Sequence, residues 1–127
     1  MKNKSFGHCL EKLESYKIVG DPEQWILMEK MQNIFSIVTS GLEFEKYNER
    51  FELNNAKEAL SLVPNGDAFI AWDNYAIPLV KSDFSNIIEN IDAVSSVSRV
   101  YYIFATNFSW LLELHHDGSK RLVFENK

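Results

Sequence analysis

From Asp67 onward the apolar residues stop recurring at helical spacing and begin to run or alternate as strands do, which excludes an all-helical fold. Ala68 to Trp72 is an apolar strand bounded by the turn pair Asp73-Asn74, and Tyr75 to Val80 returns as a second strand. Pro78 inside that return places it at a sheet edge or a bulge. Ser82 is then expected to cap a helix whose apolar face is Phe84, Ile87, Ile88 and Ile91. Ser95, Ser96 and Ser98 make a polar connector to a closing meander: Arg99 to Ala105, a turn at Thr106-Asn107, Trp110 to His115, and Ser119 to Glu125. The last hairpin has two candidate registers. A two-residue Asp117-Gly118 loop sets Glu113 opposite Leu122. A three-residue His116-Asp117-Gly118 loop with Gly118 left-handed pairs Leu112 with Leu122, Trp110 with Phe124 and Glu113 with Arg121. The second register sorts apolar from charged residues onto separate faces and is preferred.

The residues before Asp67 read mainly as helix. Ser5 suits the cap of a first helix carrying Phe6, Leu10 and Leu13, with Gly20 as its stop. Asp21-Pro22-Glu23-Gln24 is a second helix start, with Asp21 at the cap, Pro22 at the first helical position and Gln24 able to close a capping box. Trp25, Met28, Met31, Phe35 and Val38 continue it toward Thr39, although Ile34 to Val38 equally fits a short strand. Residues 42 to 53 fit either element. Asn55 with Glu58 caps a short helix through Val63, which Pro64-Asn65-Gly66 ends. The expected fold is a single α+β domain over residues 1–127. It has a mostly antiparallel sheet of about five strands, with the N-terminal helices and one crossing helix on one face.

At 127 residues the chain is long enough to bury roughly two-thirds of its unfolded surface in one core, without metal or disulfide staples. The single Cys9 forms no internal disulfide, which fits a reducing compartment. Met1-Lys2-Asn3-Lys4 is followed by Phe6-Gly7-His8 rather than an apolar run, and no apolar stretch approaches about 20 residues. The expectation is a cytoplasmic protein with no membrane contact. A net charge of −5 also argues against direct nucleic-acid binding, which favours a clustered basic face.

No motif specifies a reaction. His115-His116-Asp117 invites a metal site, but neighbouring strand residues face opposite ways, and Glu113 with His115 gives two ligands at most. A solvated hairpin tip explains the cluster better. Cys9 beside His8 has the composition of a nucleophile, yet it sits by the apolar face of a helix, where a small buried hydrophobe is expected. Glu43/Glu45 and Glu49/Glu52 are interleaved with Lys46 and Arg50 and read as solvated charge pairs. There is neither a Gly-x-Ser-x-Gly elbow nor a glycine-rich phosphate loop. No catalytic residue, metal or cofactor is assigned.

The net negative charge lies in the middle of the chain. Residues 58 to 98 hold six acids against the single base Lys81, whereas the flanking segments are nearly balanced. Asp67, Asp73 and Asp83 each have a local reason to exist at a turn or a helix start. The scarcity of bases among them does not, and it suggests an acidic binding face. Trp72-Asp73-Asn74-Tyr75 has the composition of an interface centre.

The order of elements, with the aromatic meander Val100-Tyr101-Tyr102-Ile103-Phe104, Phe108 to Glu113 and His115-His116-Asp117-Gly118, resembles small bacterial immunity proteins of polymorphic-toxin and contact-dependent inhibition systems. That resemblance implies a compact, cytoplasmic, non-catalytic protein that neutralises a cognate toxin, often a nuclease, by binding it. On this reading Asp67, Asp73, Asp83, Glu89 and Asp92 supply the field for a basic partner, and Trp72 and Tyr75 anchor it. The alternative is an enzyme or small-ligand protein with a cleft between sheet and helices that uses Glu113, His115 and Tyr102. A third reading is a self-associating regulatory domain.

Overall fold

The closing meander forms the centre of the sheet, and the rest of the chain is laid against it. The structure, a computed structural model, describes residues 4–74 and 76–126. Three strands make the meander: β7 (Val100–Ala105), β8 (Trp110–His115) and β9 (Lys120–Phe124). They are preceded by α1 (Lys4–Leu13), β1 (Lys17–Val19), α2 (Glu23–Ile34), β2 (Ile37–Val38), β3 (Gly41–Leu42), β4 (Arg50–Glu52), β5 (Asp67–Trp72), β6 (Leu79–Asp83), α3 (Phe84–Glu89) and α4 (Ile91–Ser95). Short 3-10 turns occupy Phe44–Lys46 and Ala56–Ser61. Seven strands form one sheet in the order β1-β6-β5-β7-β8-β9-β4, every pair antiparallel, and β2 and β3 form a separate hairpin.

The α+β class is as the sequence suggests, and the strand count is higher than the expected five. The additions are the three-residue edge strands β1 and β4, which carry too few residues to show a period. The pairs Ile18 with Val80 and Phe51 with Leu122 define them. Short edges of this kind limit the unpaired backbone offered to other chains. The final hairpin takes the preferred register: Trp110 faces Phe124, Leu112 faces Leu122 and Glu113 faces Arg121. Its three-residue loop turns through Gly118 at φ +99°. The Ser119 N–H donates to Asp117 Oδ1 at 2.8 Å, and this bond holds the exposed Asp117 carboxyl below its usual range.

Helices lie on both faces of the sheet, not on one. On the first face α1, the 3-10 turn at Ala56–Ser61, α3 and α4 cover Ile70, Val80, Ile103, Leu112 and Leu122. On the second, α2 brings Met31 and Phe35, and the segment after it brings Leu42 and Tyr47, onto Phe69, Tyr102, Phe104 and Leu111. The sequence carries the reason. Ala68–Trp72, Tyr101–Ala105 and Trp110–Leu114 are buried at every position, the pattern of strands covered on both sides.

Local starts and stops differ from expectation in several places. α2 ends at Ile34, so Ile37–Val38 takes the strand alternative. Asp21 does not cap it; the Asp21–Pro22 peptide is cis, and the Asp21 carboxylate instead accepts a bond from the Gln24 side chain. Asp83, not Ser82, caps α3, accepting from the Asn86 N–H and from Ser85. Ser82 is buried in β6 and donates to the Ser15 carbonyl at 2.7 Å. The Asn55–Glu58 capping box is present, on a 3-10 turn.

Candidate functional site

The expected binding residues do not gather in one place. Asp67 and Asp83 face one another at one end of the β5–β6 pair. Asp73 lies at the other end of β5, about 20 Å away at the usual strand rise. Glu89 and Asp92 are exposed on the last turn of α3 and on α4. The acidity of the first end is also diluted in space. Lys17 on β1 sits opposite Lys81, two residues from Asp83, so this corner carries two bases where the segment has one.

Trp72 is a correction. Its side chain is 4% exposed. The indole N–H donates to the Val94 carbonyl at 2.9 Å, and the ring meets Phe6 edge-on at 5.7 Å. Trp72 therefore locks α4 and α1 onto the sheet instead of anchoring a partner. Tyr75 lies outside the described residues.

Strand parity places Glu113 and His115 on one sheet face, and the structure brings them together with Tyr102, the third residue of the cleft reading. Tyr102 and Glu113 are direct cross-strand partners, and His115 Nε2 stands 3.3 Å from Glu113 Oε1. Glu113 is 1% exposed, an unusual place for a carboxylate, and its oxygens are occupied. The Leu42 N–H donates to Oε2 at 2.8 Å, and Tyr102 is the cross-strand neighbour of the same residue. Burial above all, then the charge and hydrogen bond of Glu113 and the charge of Asp73, push the Tyr102 phenol above its ordinary range. The β2–β3 hairpin seals this group. Gly41 passes so close that a Cβ there would meet Glu113 Oε2 at 2.8 Å, and its φ of +113° independently favours glycine. Nothing in the sequence announces this lid, because Leu42 and Glu113 are 71 residues apart.

In front of the sealed carboxylate is a cavity of about 700 Å³. His115 and Tyr102 line its floor side, Trp25 and Met28 of α2 one wall, and Val38 and Asp73 the rim. None of its described lining residues is Lys or Arg. Arg99, next to the lining residue Val100, turns instead to the hairpin tip, where its guanidinium lies 3.1 Å from His116 Nε2. The exposed lining is mixed: Trp25 is 45% exposed and Val38 49%, beside the exposed polar residues Gln32, Thr39, Ser40 and Asn74.

The family model for the CdiI immunity protein EcoliA0-like group matches residues 3–123. The chain belongs to that family. It is thus a contact-dependent inhibition immunity protein, in line with the resemblance seen in its meander. No curated protein matches the sequence. Two of its reactive side chains, Glu113 and Cys9, are buried and engaged in structure. No group of three or more His, Cys, Asp or Glu side chains converges among the described residues, and none of their helices is long and apolar enough to cross a membrane.

Cys9 illustrates the point. Its side chain is fully buried under α1, and burial pushes the thiol up to about 11. The thiolate is the reactive form. Native protein at neutral pH is expected to react with a thiol reagent such as DTNB at least about a hundredfold more slowly than denatured protein. Equal rates in the two states would place Cys9 at an accessible surface.

Proposed function

We propose that this immunity protein neutralises a cognate toxin domain in the cytoplasm by binding it directly and covering the surface the toxin uses on its substrate. The family match over residues 3–123 carries this reading. The toxin is a basic domain, with a nuclease as the natural class, since an acidic inhibitor is the complement of a surface built to hold phosphates. Asp67, Asp73, Asp83, Glu89 and Asp92 contribute to the attracting field. All but Asp83, which caps α3, are exposed. The cavity before Glu113 and His115 favours a second reading, in which a small ligand occupies it.

The electrostatic part has a kinetic signature. Steering by exposed charge raises the association rate and is screened by salt. Raising salt from about 0.05 to about 0.5 M is expected to slow association with the toxin domain by about tenfold or more while changing dissociation little. The pair Asp73→Lys and Glu89→Lys should lower the low-salt association rate by a comparable factor. Association indifferent to both would remove the acidic field from the account.

A further inference from the structure

We propose that the cavity at the Asp73 end of the sheet receives an arginine side chain of the toxin, making this cavity, and not the Asp67–Asp83 end, the centre of the interface. The inference rests on the toxin-binding reading above and adds the location and the chemistry of the contact. Five observations carry it.

The volume of about 700 Å³ is far more than a packing defect and suits a side chain with part of its loop. The rim carries the carboxylate of Asp73, which is exposed and pairs with no cation among the described residues. Among the described residues no Lys or Arg lines the cavity to compete for that carboxylate. The walls include Trp25 and Tyr102, flat rings against which a guanidinium stacks, together with the adaptable Met28. Finally, Trp25 and Val38 offer exposed apolar contact area beside the carboxylate, among the polar lining residues Gln32, Thr39 and Ser40. Apolar contact beside a charged anchor helps to exclude water from it.

At the Asp67–Asp83 end the arrangement is different. Asp83 is committed to capping α3, and Lys17 and Lys81 lie across from one another nearby. That corner adds to the long-range field, with its acids offset by two nearby bases.

The test uses full-length protein and the toxin domain encoded by the neighbouring gene, inactivated by substitution, with rates read by biolayer interferometry. Val38→Arg sets a cation and bulk in the mouth at a half-exposed position. It is expected to raise Kd by about 100-fold, mainly through faster dissociation. Asp73→Asn should raise Kd by about tenfold or more. Glu89→Lys should slow association only. One toxin arginine, found by alanine substitution, should lose affinity in a way that is not additive with Asp73→Asn. Val38→Arg and Asp73→Asn proteins that keep the wild-type circular dichroism and also keep wild-type Kd would overturn the cavity proposal while leaving the immunity reading intact. So would non-additivity for no toxin arginine. Absence of binding by the wild-type protein would overturn both.

Discussion

Replacing Trp72 with alanine is expected to lower folding stability by about 3–5 kcal/mol, the usual cost of removing a large buried aromatic side chain. Several contacts fail together. The ring is 4% exposed, its N–H bond ties β5 to the Val94 carbonyl of α4, and its edge contact with Phe6 holds the start of α1. Trp72→Phe keeps most of the apolar volume and loses the hydrogen bond, so it should cost less, about 1–2 kcal/mol. Urea unfolding followed by fluorescence or circular dichroism measures both. Trp72 also contributes to the lining of the cavity, but its indole packs on Phe6 and the Val94 carbonyl, so the toxin affinity of the folded Trp72→Ala protein should stay within about threefold of wild type. A variant that is fully stable yet unable to bind toxin would restore Trp72 as a surface anchor.

The second large effect is expected at Glu113. Glu113→Leu leaves the buried Leu42 N–H without its acceptor. A buried donor left unmade costs about 1–3 kcal/mol, and that loss is expected here. Glu113→Gln retains an acceptor for Leu42 and a similar shape, and should cost much less. Because Tyr102 and Glu113 are direct cross-strand neighbours, Tyr102→Phe and Glu113→Leu should be non-additive. Gly41→Ala acts on the same group from the lid side, where the added methyl meets Glu113 Oε2 at 2.8 Å and the backbone is left-handed. It is expected to cost about 1–3 kcal/mol. If Glu113→Leu is as stable as wild type, the carboxylate has no structural task, and the β2–β3 hairpin must be held by other means.

Features that depend on neighbouring residues were legible before the structure was known. The last hairpin is an example. Gly118 and Asp117 set the loop, and the alternation of Trp110, Leu112 and Leu122 against Glu113 and Arg121 set the register, which is the one observed. Strand parity also placed Glu113 and His115 on one face. What long-range contact decides was not legible. β4 is a strand only because Phe51 meets Leu122, about 70 residues on. The lid over Glu113 comes from Gly41 and Leu42, and α2 covers the second face although its periodicity gives no sign of which face it serves. The acidic segment was read as a surface. In space Asp67 and Asp83 lie at one end of β5, Asp73 at the other, and Glu89 and Asp92 on α3 and α4, while Lys17 arrives from outside the segment to sit beside Lys81. Trp72 was misplaced for a related reason: an aromatic beside a turn has the same composition whether it faces a partner or, as here, Phe6 and Val94.

The central claim is that this member of the immunity family works by direct capture of its toxin. The decisive measurement is a titration of the protein into its cognate toxin domain, with complex formation and toxin activity read on the same samples. The account predicts an equimolar complex with submicromolar Kd at moderate salt, and toxin activity that falls to background at the equivalence point. Toxin activity that remains undiminished at a several-fold excess of the protein, with no complex formed, would contradict it.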